Sequence, residues 1–306
     1  MAGYAAPIER PEHAPGLPPA RPVSEAIRVG MLVPLVVACC YTAFVLVPFA
    51  GHTASVFAWG MAPPTAWLLG SGYAGSGVML ALTLRRTRWA DARIAVYATS
   101  FFMVLILLDS VLGRRTLHLK SGPILGFFAA WGWMAVHVAA LFIGIGVLLA
   151  QARTPGRTAP RAPALPLFVA GPMLFAATWL TVLGALLAIG PSWMRHGWPW
   201  PVSELDVRVS GAFCLTYAGA TWLTWRGGDL NRTKPGLAAL VVTGLLGLAG
   251  MVRYNGWLHA DPGTWLILLV LVTLVGMGAS GLLLAPITGE DEAGDTPDAD
   301  GDETGT

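Results

Sequence analysis

Apolar stretches of about twenty residues, parted by short polar turns, run along the chain from residue 31 to residue 284. About 20 mostly apolar residues suffice for a helix to cross the ~30 Å hydrocarbon core of a bilayer. By that measure eight spans are expected, at 31–49, 66–84, 94–112, 123–150, 167–189, 207–225, 237–252 and 264–284. The fourth is long enough to tilt or to project past the lipid. The fold class is therefore all-α integral membrane, with eight transmembrane helices.

Marker residues recur along these spans as if one four-helix unit had been written twice. Trp59 precedes Ser71-Gly72 as Trp198 precedes Ser210-Gly211, an offset of 139. Arg86 and Arg226 close the second and sixth spans at an offset of 140, and His118 and His259 precede the fourth and eighth at 141. A unit of four spans enters the membrane twice from the same side, so the two copies should be parallel repeats about an axis along the membrane normal. The expected organisation is an arm at 1–30, a first repeat at 31–150, a linker at 151–166, a second repeat at 167–286 and an acidic tail at 287–306. Arm and tail are too poor in apolar residues to pack and are expected to be disordered. The arm is too long and polar for a cleavable leader, so the first helix should be retained. Glycines cluster in the second span (Gly70, Gly72, Gly75, Gly77) and the seventh (Gly244, Gly247, Gly250). Within lipid such clusters serve close helix packing.

Composition agrees with the pattern: 55% of residues are hydrophobic and 12% charged, against about 25% charged in soluble domains. The net charge of +2 conceals a segregation, since eight of the seventeen acidic residues lie between Glu290 and Glu303. Thirteen of the nineteen basic residues fall in the arm and in the turns after spans two, four and six. Lys/Arg excess marks cytoplasmic loops, so both termini are expected in the cytoplasm and the chain in the cell membrane. Trp59, Trp193, Trp198, Trp200 and Trp257 gather in the opposite turns, where interfacial aromatics belong. The preference for arginine over lysine, with abundant alanine and glycine, points to a GC-rich bacterial source. Cys39, Cys40 and Cys214 all lie inside spans, which argues against a disulfide framework. The lipid bilayer and a small-molecule or lipid ligand are the expected partners, with no nucleic acid.

Candidate chemistry is sparse. His52, His118, His196 and His259 precede spans two, four, six and eight on the outer side. Imidazoles ligate haem iron or metals and relay protons, and His118 and His259 are singled out by the repeat. Arg114 stands before His118 and Arg253 before His259, against the charge bias, so an anionic group could be held there. Asp109 lies near the outer end of the third span and His137 near the middle of the fourth. Ionisable groups within a membrane usually face a cavity or a partner. If Gly113 ends the helix, Arg114 or Arg115 could fold back onto Asp109. No HExxH, Walker or GxSxG motif is present.

The stretches Phe57-Ala-Trp-Gly-Met-Ala-Pro-Pro-Thr, Trp89-Ala-Asp-Ala-Arg and Trp198-Pro-Trp-Pro resemble a widespread group of uncharacterised multi-pass membrane proteins of actinobacteria. That resemblance implies membrane placement and no particular activity. The plan of eight helices in two parallel halves, with histidines near the outer ends of even-numbered helices, is similar to haem A synthase, whose histidines ligate haem. Here the first outer turn, 51–65, holds no acidic residue and the histidines stand in turns. The reading carried forward is a permease-like carrier or an accessory membrane subunit for a small or lipophilic molecule, without a cofactor. The alternative is a membrane-embedded enzyme or redox protein with haem, metal or quinone at the outer histidines.

Overall fold

The computed structural model describes residues 19–158 and 165–288; the rest of the expected arm, linker and tail lies outside them. Eight long helices follow in order: α1 Glu25–Leu46, α2 Pro63–Leu84, α3 Trp89–Leu112, α4 Ile124–Arg153, α5 Leu167–Ile189, α6 Glu204–Gly227, α7 Lys234–Arg253 and α8 Pro262–Thr288. Among the described residues there is no strand, only two isolated bridges. Seven of the eight are long and apolar enough to cross a membrane. The exception is α6, which carries Glu204, Asp206, Arg208 and Arg226. Its polarity follows from its place, because buried residues occur along its whole length and it faces protein where the outer helices face lipid.

Local signals set the helix ends. Prolines open α2 and α7 at the first turn, where a missing N–H costs nothing. At α6 the Ser203 side chain accepts from the Asp206 N–H at 3.1 Å while Asp206 Oδ2 accepts from the Ser203 N–H at 2.8 Å, a closed capping box. The same helix ends on Gly228 in the left-handed region, φ 73°, which favours glycine. Asp261 Oδ1 caps α8 by accepting from the Thr264 N–H at 2.8 Å.

The helices pack in an interleaved order. α1 lies on α2, α2 on α7 and α7 on α8; likewise α5 lies on α6, α6 on α3 and α3 on α4. Each row therefore takes two helices from each half of the chain, and the rows meet where α2 touches α3 and α6. Glycines make the close approaches. A methyl at Gly75 would fall 2.6 Å from the Ala239 carbonyl oxygen, joining α2 to α7. Methyls at Gly184 and Gly211 would fall 3.0 and 2.9 Å from each other's carbonyl oxygen, joining α5 to α6. Gly244 and Gly278 do the same between α7 and α8. In α4 the only close glycine is Gly126, set against the loop residues His118 and Phe57; Gly132, Gly144 and Gly146 meet nothing within 4 Å, and this helix stands partly away from the bundle.

The first helix begins at Glu25, six residues ahead of the expected start at Met31. The segment just before it is ordered as well, which revises the expectation of disorder up to residue 30. Arg21 N–H donates to Arg157 O at 3.0 Å and Val23 N–H to Thr87 O at 2.8 Å. Gln151 accepts from the Ser24 N–H at 2.7 Å and donates to Pro22 O at 2.9 Å. Arg28 reaches the end of α2, donating to Leu84 O and Arg86 O at 3.0 and 2.6 Å. This strap and the loops around Arg85, Arg157 and Arg232 form one face of the molecule, the arginine face. The loops holding His52, His118, His196 and His259 form the other, the histidine face.

Candidate functional site

A mostly apolar cavity of about 240 Å³ lies among α3, α6 and α7, flanked by α5 and α8. Asp91, Thr224 and Arg232 line it toward the arginine face, and Phe102, Phe213 and Tyr217 line its deep end. Arg232 Nε stands 2.9 Å from Asp229 and 3.8 Å from Asp91, so an ion-pair network edges the mouth. Along the wall, Ser76, Thr221 and Thr224 donate to the carbonyl four residues back. The buried hydroxyls of Thr99 and Thr216 have no partner among the described residues. Two unpaired hydroxyls in an apolar wall are what a small ligand with one or two polar groups would satisfy.

A smaller cavity of about 110 Å³, lined by Ser71, Trp198 and Ser210, lies toward the histidine face. Phe213 and Tyr217 line both spaces and part them. The partition is held in place. Tyr217 shares a hydrogen bond with Thr243 at 3.1 Å. Phe213 sits against Gly72, where a methyl would fall 2.6 Å from its ring, and packs on Phe102 and Tyr73 at 4.6 and 5.5 Å between ring centres.

Two hydrogen bonds tie the histidine face together. Trp59, in the loop before α2, donates from Nε1 to Asp206 Oδ1 in the first turn of α6 at 2.8 Å. Trp200, in the loop before α6, donates from Nε1 to Thr65 Oγ1 in the first turn of α2 at 2.7 Å. Each bond runs from one half of the chain to the other. A shift of 141 relates them, since 200 − 59 and 206 − 65 both equal 141. The same shift takes the Ala58 contact of His118 to the Pro199 contact of His259. Sequence spacing pairs Trp59 with Trp198; the bonding geometry pairs it with Trp200.

The residues singled out from sequence fall into separate places. His118 donates its backbone N–H to Ala58 O at 2.9 Å, and its Nδ1 is buried without a partner. His259 is exposed, with Nδ1 3.0 Å from Pro199 O. Each is docked on the outer loop of its own half, and neither lines the cavities above. Arg114 is exposed and donates to Val111 O at 3.4 Å. Arg253 lies over the rings of Trp67 and Tyr254, 5.7 and 5.6 Å from their centres. Asp109 is 6% exposed, and the cation acting on it is Arg208 of α6 rather than Arg114 or Arg115. His137 is 3% exposed, with Nδ1 2.7 Å from Trp133 O and Nε2 unpartnered. Among the described residues no group of three or more His, Cys, Asp or Glu side chains is placed to hold a metal.

The partition and the two ties were not singled out from sequence. Phe213 and Tyr217 are aromatic residues among many in an apolar span, and no spacing separates gate from core. The Ser203-x-x-Asp206 pattern was readable as a capping box, which fixes Asp206 Oδ2 but says nothing of Oδ1. Comparison with known protein families, with curated proteins and with solved structures finds no match.

Proposed function

We propose that this chain is a permease-like membrane carrier for a small, largely apolar molecule bearing one or two hydrogen-bonding groups. The observation that carries the reading is the divided central space: a cavity reached from the arginine face, parted by Phe213 and Tyr217 from a smaller one toward the histidine face. At about 240 Å³ the larger cavity is just below the roughly 300–1,000 Å³ usual for small-molecule pockets, which argues for a compact substrate.

In this reading α6 is the eighth span, and the even number brings both termini to the arginine face, on the cytoplasmic side. The two halves are parallel repeats. The packing order supports this, because exchanging α1–α4 with α5–α8 turns each contacting pair within a row into a contacting pair of the other row. The Trp59–Asp206 and Trp200–Thr65 bonds exchange in the same way. Transport then needs the two rows to rock about the partition. With the histidine face tied shut, the larger cavity is the cytoplasmic-facing site, and parting the two tryptophan bonds opens the other side.

Sided labelling tests this. Cys39, Cys40 and Cys214 are replaced by alanine, and Thr221→Cys is placed in the larger cavity. Right-side-out and inverted vesicles are then treated with a membrane-impermeant thiol reagent. Thr221→Cys is expected to react from the arginine face alone, and from both faces once Trp59→Phe and Trp200→Phe remove the ties. Reaction from the arginine face alone after both ties are gone would overturn the carrier reading.

A further inference from the structure

A second space is larger than the central one. A cleft of about 530 Å³ opens between α1 and α4, walled by Cys39 and Thr42 on one side and Gly132 and His137 on the other. It exists because α4 stands off. The position equivalent to His137 under the 141 shift is Gly278 (137 + 141), and there α8 closes on α7, with a methyl at Gly278 falling 2.6 Å from Leu237 O. Glycine allows that approach in one half of the chain; an imidazole occupies the place in the other. The side chains around the cleft are mostly apolar, and neighbouring α1 and α4 residues such as Tyr41, Phe128 and Val136 are exposed on the lipid-facing surface.

Among the described residues, two buried polar atoms of that lining have no hydrogen-bond partner. The Trp133 carbonyl can only accept, so His137 Nδ1 carries the hydrogen of that 2.7 Å bond, and Nε2 of the neutral ring offers a lone pair. Among the described residues nothing donates to it. Tyr73, 3% exposed, also lines the cleft, and its hydroxyl has no partner. Buried groups of this kind are ordinarily satisfied, and here nothing among the described residues does so. The ring of His137 packs at a 40° tilt against Trp133, 4.4 Å between centres, and Trp133 is itself anchored by donating to Ser110 Oγ at 2.9 Å. The lone pair is therefore held in one direction.

We infer that the α1–α4 cleft is a binding site for a bilayer-dissolved alcohol or phenol, an apolar body whose hydroxyl donates to His137 Nε2 and lies within the part of the cleft that Tyr73 lines. An acceptor-only head group, such as a ketone or an ether, leaves the histidine lone pair unmet and is discriminated against. The site is separate from the central cavity: Cys39 and Met103 line both and stand between them. It does not depend on the carrier reading.

The test uses purified full-length protein in lipid nanodiscs and a diazirine-bearing hexadecanol as probe, with labelled peptides mapped by mass spectrometry. Saturable labelling of α1 and α4 is expected, competed by hexadecanol and at least about tenfold less well by its methyl ether, for the loss of one charge-free buried hydrogen bond. His137→Leu should abolish the preference for the alcohol. Gly132→Leu, at a position with open space around it, should block labelling without disturbing the fold, with an unchanged melting curve as the control. Equal competition by alcohol and ether, or labelling spread over all lipid-facing helices and indifferent to both substitutions, would overturn the proposal.

Discussion

At Asp206 both carboxylate oxygens are in use, Oδ2 in the capping box of α6 and Oδ1 as acceptor for the Trp59 indole. One side chain thus starts its own helix and holds the other half of the molecule. The Trp200–Thr65 bond has only a hydroxyl as acceptor. A bond to a charged acceptor is about twice as strong as a neutral one, so the two ties are unequal. Asp206→Ala should lower stability by about 2–3 kcal/mol, from lost cap and lost acceptor together, whereas Thr65→Val should cost about 0.5–1.5 kcal/mol. Unfolding in mixed detergent micelles measures both. A double-mutant cycle of Trp59→Phe with Asp206→Ala should give a coupling of about 1 kcal/mol or more; strict additivity would show that the bond is not made. At this scale sequence was a poor guide. His118 and Arg253 stood out by position, yet they are docked on Ala58 and on Trp67 with Tyr254. Asp109 is a buried carboxylate, and the cation whose charge bears on it belongs to α6, 99 positions away (208 − 109). Local spacing carries no information about a contact between helices so far apart.

Helices were the most legible level. Each of the eight apolar stretches became one, and for the seven apolar enough to cross a membrane the helix satisfies the backbone's hydrogen bonds within its own segment. The glycine clusters were also read correctly as packing surfaces, since Gly75, Gly244 and Gly247 meet neighbouring helices closely. The partners were not readable: glycine says that something approaches, not what. The α7–α8 seam offers a clean check. Gly278→Leu would drive a side chain into Leu237 and Val241 and should destabilise by about 1–3 kcal/mol. Gly276→Leu, two residues earlier with open space around it, should be neutral within about 0.5 kcal/mol. Comparable losses from both would mean that α8 is not packed as described. The start of α1 was missed for a physical reason. Glu25 to Arg28 is polar, but Arg28 spends its charge on the carbonyls of Leu84 and Arg86 at the end of α2, and a hydropathy reading cannot see that.

For the whole molecule, interleaving means that neither half is a structural unit. α2 depends on α7 and α6 on α3 for their buried faces. A chain cut between Thr158 and Leu165 should yield two pieces that are each aggregated or degraded when made alone. Made together, they should copurify through a tag on one of them. A single half obtained alone as a monodisperse species would contradict the packing order. The prediction separates this fold from a pair of four-helix bundles joined by a linker, which the sequence alone allowed equally well.

The α2–α7 seam also sets a timetable. About 150 residues lie between Leu84 and Lys234 (234 − 84), and at roughly 5–20 residues per second of synthesis the ribosome needs about 8–30 s to make them. Throughout that interval α2 is already inserted, with Gly75 and its indented face turned to lipid or to whatever the insertion machinery supplies. The nascent first half is therefore a client before it is a protein, and slowing elongation between residues 84 and 234 should expose it longer to the membrane's quality-control proteases.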